Sequence, residues 1–169
     1  DDDWVTIATA QAFAIDKQIL ETEIPINGVL KYDLAYGNLG GTTKTFDSID
    51  VFPYNDDGRS PNSDFDGGYN LTAVTPVTSS HINQIYVTNT SPASIDTEVN
   101  NNVAVGTGMW SCTYAQIGTS GCPTASQVTA IRITSNSLTP GQYGFIRVEL
   151  TTHDNDGEET YTNNWHARA

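Results

Sequence analysis

Three residues far apart in the chain, Lys17, Asp50 and Asn163, have side chains that could form a covalent bond inside the protein. A neutral lysine amine can attack the side-chain carbonyl of an asparagine, and a carboxylic acid can polarise that carbonyl and help ammonia to leave. The product is an isopeptide bond. An apolar core favours both neutral groups, because burial lowers the pKa of a lysine and raises that of a carboxyl. The reaction therefore requires that all three side chains point into one interior.

The segment from Phe13 to Ile19 is predicted to be the first β-strand. Side chains alternate along a strand, so Phe13, Ile15, Lys17 and Ile19 share one face, and Lys17 is expected to point inward with its apolar neighbours. A lysine is almost never fully buried alone, because an ammonium group taken out of water loses several kcal/mol of solvation. Lys17 therefore needs a partner inside the fold.

The same alternation places candidate partners on two other strands. In the predicted last strand, residues 160–169, Asn163 shares a face with the aromatic side chains on either side of it, and Asn164 is the alternative on the opposite face. In the predicted third strand, residues 46–52, Asp50 is expected to look into the core. An ordinary buried Lys–Asp ion pair with a hydrogen-bonded asparagine, or a lysine that extends from a strand end to water, would explain the same pattern.

The second predicted strand, residues 29–36, alternates clearly. Its aromatic and leucine side chains form the inward set, which leaves Lys31 and Asp33 on the solvent face. Lys31 is therefore a poorer candidate for the bond. The inward set is Leu30, Tyr32, Leu34 and Tyr36.

Short strands separated by turns account for the rest of the chain, and no amphipathic helical pattern continues beyond about two turns. The sequence predicts an all-β fold, an antiparallel immunoglobulin-like β-sandwich with long loops. Residues 13–169 are expected to form this single domain, and residues 1–12 a lead-in or linker. The other predicted strands are residues 69–77, 81–88, 128–134 and 144–152, with weak strand character at 103–105.

Cys112 and Cys122 bracket a short loop that contains Gly118 and Gly121. With no histidine nearby they make a poor zinc site, so a disulfide is expected, with a pair of free buried thiols as the alternative. A disulfide favours an oxidising, extracellular location.

The charge of the chain limits its partners. Twenty acidic and seven basic residues give a net charge of -13 and a pI near 4.2. This argues against binding to nucleic acid or to an anionic membrane. No apolar run approaches the roughly 18 residues that a membrane span requires, and no signal peptide begins at Asp1. The chain is expected to be a mature piece of a longer exported protein.

The order of several short motifs resembles the tandem conserved-repeat domains of bacterial surface proteins, which are similar to the isopeptide-forming, immunoglobulin-like domains of Gram-positive adhesins and pilins. In those families a first-strand lysine bonds to an asparagine of the last strand, assisted by an aspartate or glutamate, and the domain serves as a stalk segment in the cell wall or at the cell surface. The resemblance implies these roles for Lys17, Asn163 and Asp50. The motifs are Ile15-Asp16-Lys17, Lys31-Tyr32-Asp33-Leu34, Asp50-Val51-Phe52-Pro53, Leu138-Thr139-Pro140-Gly141 and Tyr161-Thr162-Asn163.

Two acidic loops offer oxygen ligands of the kind that Ca²⁺ prefers. Neither has the spacing of a complete twelve-residue calcium loop, and turns rich in aspartate commonly form without metal. Bound calcium is therefore an open alternative, and no other cofactor is expected. The candidate ligands are Asp56, Asp64, Asp66, Asp154 and Asp156.

Catalysis on an external substrate finds little support, because His81, His153 and His166 are scattered and Ser120 lacks the nucleophile-elbow pattern. A structural stalk module that contacts neighbouring domains of the same surface protein is the first functional hypothesis. The alternative is an adhesin head that binds a host or cell-wall ligand through the 54–68 or 112–122 loop.

Overall fold

The computed structural model describes residues 13–77, 81–82, 84–97 and 104–168. Within these ranges the chain forms nine strands and four short 3₁₀ helices. The predicted lead-in, residues 1–12, lies outside the described residues. The strands are β1 (Ala14–Ile19), β2 (Val29–Gly37), β3 (Lys44–Val51), β4 (Gly68–Pro76), β5 (Gln84–Thr88), β6 (Cys112–Thr113), β7 (Ala130–Leu138), β8 (Tyr143–His153) and β9 (Asn164–Arg168), and the 3₁₀ helices are Pro92–Ser94, Gly108–Trp110, Tyr114–Gln116 and Ala125–Gln127.

The strands form two sheets. The first has the order β1-β2-β8-β4 and the second β6-β5-β7-β3-β9. All pairs of neighbouring strands are antiparallel. The prediction of an all-β antiparallel sandwich with long loops is confirmed. β1 and β9, which were expected to carry the reacting lysine and asparagine, are edge strands of different sheets.

The core lies between the sheets, and β2 shows why they pack. Its four inward side chains are almost completely buried, as the alternation predicted. They meet the inward apolar side chains of β3, β7 and β8. A second, smaller cluster covers the outer face of β3, where Ile49 and Val51 pack with Trp110. β3 is thus buried on both faces, which removes Asp50 from solvent.

Several predicted boundaries differ from the observed ones. The last strand begins at Asn164 and not at residue 160, so Asn163 lies just before the ladder. β5 is shorter than the predicted 81–88, and β7 continues four residues beyond the predicted end at 134. Residues 104 and 105 are not in a strand, and residue 103 lies outside the described residues.

Two expectations about side-chain exposure are wrong. Ile15 and Ile19 are 40% and 54% exposed, although they share the parity of Lys17. β1 is an edge strand, so the core covers only part of its inward face. Asp33 is only 8% exposed, because the Arg147 guanidinium donates to its two carboxylate oxygens at 2.8 and 2.9 Å.

Both ends of the described chain lie at the same end of the sandwich. The Phe13 ring is 5.2 Å from the Phe46 ring, and Lys17 reaches Asp50, so β1 runs in the same direction as β3 across the core. β9 runs the opposite way along β3, and its last residue, Arg168, is opposite Asp47. The described chain thus begins in an edge strand of the first sheet and ends in an edge strand of the second.

Candidate cross-linking site

Lys17, Tyr32 and Asp50 form a hydrogen-bonded cluster between the two sheets. The Lys17 ammonium donates to Asp50 Oδ1 at 2.7 Å, and the Tyr32 hydroxyl donates to Asp50 Oδ2 at 2.6 Å. The Asp50 side chain is fully buried and that of Lys17 is 13% exposed. Both oxygens of the carboxylate are therefore occupied by donors from the opposite sheet.

The environment of Lys17 favours loss of its proton. Burial lowers the pKa of Lys17 to about 8, although the charge and hydrogen bond of Asp50 oppose the change. The nitrogen also lies 4.0 Å from the centre of the Tyr32 ring, whose face attracts a cation and so opposes loss of the proton, but burial has the larger effect. The lysine is thus much closer to its neutral, nucleophilic form near neutral pH than a lysine in water.

Asn163 presents a shielded amide to this cluster. Its side-chain nitrogen and oxygen are buried and have no partner at full hydrogen-bond geometry within the described ranges; a weak contact with the Tyr32 hydroxyl is the interaction seen. Burial is the main reason that the pKa of Tyr32 is raised well above its usual value; Asp50 adds to the rise and the Asn163 amide opposes it. The amide therefore lies beside the Tyr32 hydroxyl.

The ladder between β3 and β9 explains this position. Trp165 is opposite Asp50, and Asn164 is opposite Val51. Trp165 turns into the core and is 8% exposed, whereas Asn164 is exposed. Asn163, two residues before Trp165, takes the same inward direction. This inward direction is the one assumed in choosing Asn163 over Asn164. Lys17 contacts Asp50, and Asn163 lies beside the Tyr32 hydroxyl that also binds Asp50.

The 54–68 loop contacts the backbone beside Asn163. The Arg59 guanidinium and the Ser63 hydroxyl both bind the main chain of Thr162. Sequence reasoning missed these residues, because a loop has no side-chain periodicity to reveal which residues turn inward. Tyr32 was expected in the core but was given no role. A buried tyrosine hydroxyl needs a hydrogen-bond partner, and this requirement could have identified Tyr32 as part of the site.

A second hydrogen-bond network orders the loop between β8 and β9. Desolvation alone would raise the pKa of Glu159, but hydrogen bonds from Asn155, Tyr161 and the backbone N–H groups of Asp66 and Asp156 outweigh it and lower that pKa to about 2. Glu159 therefore remains ionised and joins this loop to the 54–68 loop.

The candidate calcium ligands do not converge. Within the described ranges, no three His, Cys, Asp or Glu side chains are arranged to hold a metal ion. Asp154 contacts His153 at 3.0 Å, and the backbone N–H groups of Asp66 and Asp156 donate to Glu159. Calcium binding stays an untested alternative. The remaining candidates, Asp56 and Asp64, are exposed.

Cys112 and Cys122 form a disulfide, as predicted. It closes the loop between β6 and the segment leading to β7, and a cavity of about 210 Å³ lies beside it. A disulfide indicates a non-reducing environment. In the part of the chain that the structure describes, no helix is both long enough and apolar enough to cross a bilayer.

Comparison with known proteins supplies no family for this chain. No protein-family model matches it, and no curated protein sequence shows significant similarity to it.

Proposed function

We propose that this protein is a structural module of a bacterial cell-surface protein, a stalk or adhesin domain stabilised by an isopeptide bond that forms between Lys17 and Asn163. The observation that carries the proposal is the buried cluster in which Lys17 is paired with Asp50 while a poorly satisfied asparagine amide lies beside the same tyrosine hydroxyl. A buried amide group left without a good hydrogen bond costs about 1–3 kcal/mol, so its retention here favours a chemical role.

The reaction conserves all atoms without an added reagent. The Lys17 nitrogen attacks the side-chain carbonyl carbon of Asn163, the new carbon–nitrogen bond forms, the bond to the amide nitrogen breaks, and ammonia leaves. Asp50 first takes one proton from the lysine ammonium and gives it to the departing nitrogen; it then takes the second proton, which the new amide nitrogen must lose, and is left as a neutral acid. Tyr32 holds the carboxyl in the position for these transfers.

The Lys17–Asp50 pair must hold one proton for this sequence of steps. With two protons the amine cannot attack, and with none Asp50 has no proton to give. Transfer within the ion pair produces a neutral amine and a neutral acid, the forms that a desolvated site favours. The proposed reaction thus needs no change in the net charge of the cluster.

A bond between these residues would close a loop that contains nearly the whole chain. By analogy with a disulfide, it would restrict the unfolded state by the equivalent of about 5 kcal/mol, which is a large fraction of the stability of a typical domain. The disulfide and the acidic surface fit an extracellular protein whose partners are neighbouring domains of the same surface protein.

An adhesin head that binds a host or cell-wall ligand is less well supported. The polar side chains of Asp57, Arg59 and Ser63, in the 54–68 loop, are engaged in internal hydrogen bonds. The 112–122 loop, with its adjoining cavity, is the remaining candidate surface for such a ligand.

Intact-mass measurement after reduction of the disulfide tests the proposal. Wild-type protein should weigh less than its sequence by one ammonia, whereas Lys17→Ala and Asp50→Ala should show the masses of their sequences. Fragmentation of a digest should find Lys17 and Asn163 in one branched peptide. A wild-type mass equal to that of the reduced sequence would refute the proposed function.

A further inference from the structure

Arg59 binds backbone carbonyls next to two of the three reacting residues. Its Nη1 atom donates to the Thr162 carbonyl at 2.5 Å, and its Nη2 atom donates to the Val51 carbonyl at 3.0 Å. Thr162 precedes Asn163 and Val51 follows Asp50. One planar guanidinium thus fixes the distance between the backbone that carries the acid and the backbone that carries the amide.

Arg59 is itself held firmly. Nη1 also lies 3.1 Å from Asp57 Oδ2, and Asp57 Oδ1 accepts the backbone N–H of Arg59 at 3.0 Å. The Arg59 side chain is 10% exposed, and the Asp57 side chain is fully buried. Desolvation would raise the pKa of Asp57, but hydrogen bonds from Arg59 and Ser63 outweigh it and lower that pKa, so the carboxylate stays ionised. The guanidinium is therefore oriented by contacts that do not involve Asn163.

Ser63 provides a second contact to the same peptide unit. The Thr162 N–H donates to Ser63 Oγ at 2.8 Å, and this hydroxyl donates to Asp57 Oδ2 at 2.7 Å. Since β9 begins at Asn164, the residues before it lack the ladder with β3. The 54–68 loop therefore supplies hydrogen bonds to the backbone at Thr162, where the ladder gives none, and so fixes the direction of the adjoining Asn163 amide.

The positive charge of Arg59 also acts on the nucleophile. Burial is the largest cause of the lowered pKa of Lys17, and the charge of Arg59 lowers it further. A second cation near an ammonium group favours its neutral form. Arg59 is suited both to orient the amide and to ease deprotonation of the amine.

We propose that Arg59 is a positioning residue for the bond between Lys17 and Asn163, and that the 54–68 loop belongs to the reaction site. This rests on the proposed function. Beyond that function, a fast reaction needs more than the folded sandwich and the three reacting side chains, because the guanidinium must also hold the backbone at Thr162 and Val51 together.

The test compares rates of bond formation in Arg59→Lys, Arg59→Met and wild type. Chains are collected in urea within a short cell-free synthesis pulse, before folding permits the reaction, and diluted into oxidising buffers of different pH. Bond formation is followed by intact mass, and each rate is divided by the folded fraction from circular dichroism. Arg147→Met is the matched control, because Arg147 forms a two-oxygen ion pair with Asp33.

Both Arg59 variants should react at least about tenfold more slowly than wild type, since small errors in the alignment of reacting groups cost one to two orders of magnitude. Arg59→Met should also move the high-pH decline of the rate to higher pH, because it removes a charge that lowers the pKa of Lys17. Arg59→Lys keeps that charge and should not move the decline. Arg147→Met should react at the wild-type rate.

Ser63→Ala, a milder change, should slow the reaction without unfolding the loop. If wild type loses ammonia but the Arg59 and Ser63 variants react at its rate, the positioning role is wrong and the proposed function stands. Rates that fall only in proportion to the folded fraction also overturn the positioning role. A wild type that keeps its full mass refutes the proposed function instead.

Discussion

The Lys17 nitrogen lies 2.7 Å from Asp50 Oδ1, although the two residues belong to different sheets. This ion pair crosses the core between an edge strand of the first sheet and an inner strand of the second. Breaking a buried pair by removing one partner typically costs about 3–5 kcal/mol, because the other charge is left unpaired. Variants of Lys17 or Asp50 therefore change stability as well as chemistry, and cleaner substitutions are needed.

Asn163→Ala removes the reacting amide and leaves the ion pair intact. We expect its mass to equal that of its sequence after reduction, and its free energy of unfolding to fall by about 5 kcal/mol, the estimate for losing so long a closed loop. Intact mass and denaturant unfolding measure the two effects. Asn164→Ala is the control and should still lose ammonia; loss of the bond in Asn164→Ala but not in Asn163→Ala would show that the wrong asparagine was chosen.

Tyr32→Phe removes the hydroxyl that donates to Asp50 Oδ2 at 2.6 Å. We expect bond formation to slow by about tenfold or more, because the carboxyl loses the donor that fixes its orientation. Chains collected unreacted in urea, as for the Arg59 variants, are diluted into folding buffer, and intact mass gives the rate. Tyr69→Phe is the control, since that hydroxyl donates to the Pro53 carbonyl at 3.0 Å. Equal rates for Tyr32→Phe and wild type would exclude a role for the hydroxyl.

The rate of bond formation should fall as pH rises through about 8. Burial lowers the pKa of Lys17 to about this value, so above it the lysine loses its proton to solvent and Asp50 has none to give to the departing nitrogen. Below that pH the rate should level off, because the pair keeps its single proton. Dilution of freshly synthesised, unreacted wild-type chains from urea into a series of buffers measures the profile. A rate that continues to increase above the pKa of Lys17 would contradict the role of Asp50 as the acid.

Glu159→Gln should remove part of the acid sensitivity of the fold. The pKa of Glu159 is lowered from 4.5 to about 2. Its stabilising contribution is therefore complete above about pH 4.5 and is lost as the pH falls toward 2. Melting temperatures of wild type across this range should decline more steeply than those of Glu159→Gln. Glu158→Gln, at an exposed neighbour, should follow wild type; parallel curves for all three proteins would refute the prediction.

The sequence predicted the inward residues of the site well and the supporting residues poorly. Asp50 and Asn163 follow the alternation of side chains along a strand. This alternation still identifies the inward side chains when a strand boundary is misplaced by several residues. Ile15 and Ile19 obey it too, yet they are exposed, because alternation cannot tell that β1 lies at an edge. Arg59 lies in an irregular loop, so only the tertiary structure shows its contacts.

Phe13 and Arg168 lie at the same end of the sandwich, and this has a mechanical consequence if the domain is pulled through its two ends. Tension would peel β1 and β9 from their neighbours one hydrogen bond at a time, which is the weakest way to load a sheet. A bond between Lys17 and Asn163 would stop that unzipping at Lys17 in β1 and at the start of β9, once the five residues of β9 have separated. The load would then pass through the cross-link, and the rest of the sandwich would remain folded beside the line of force.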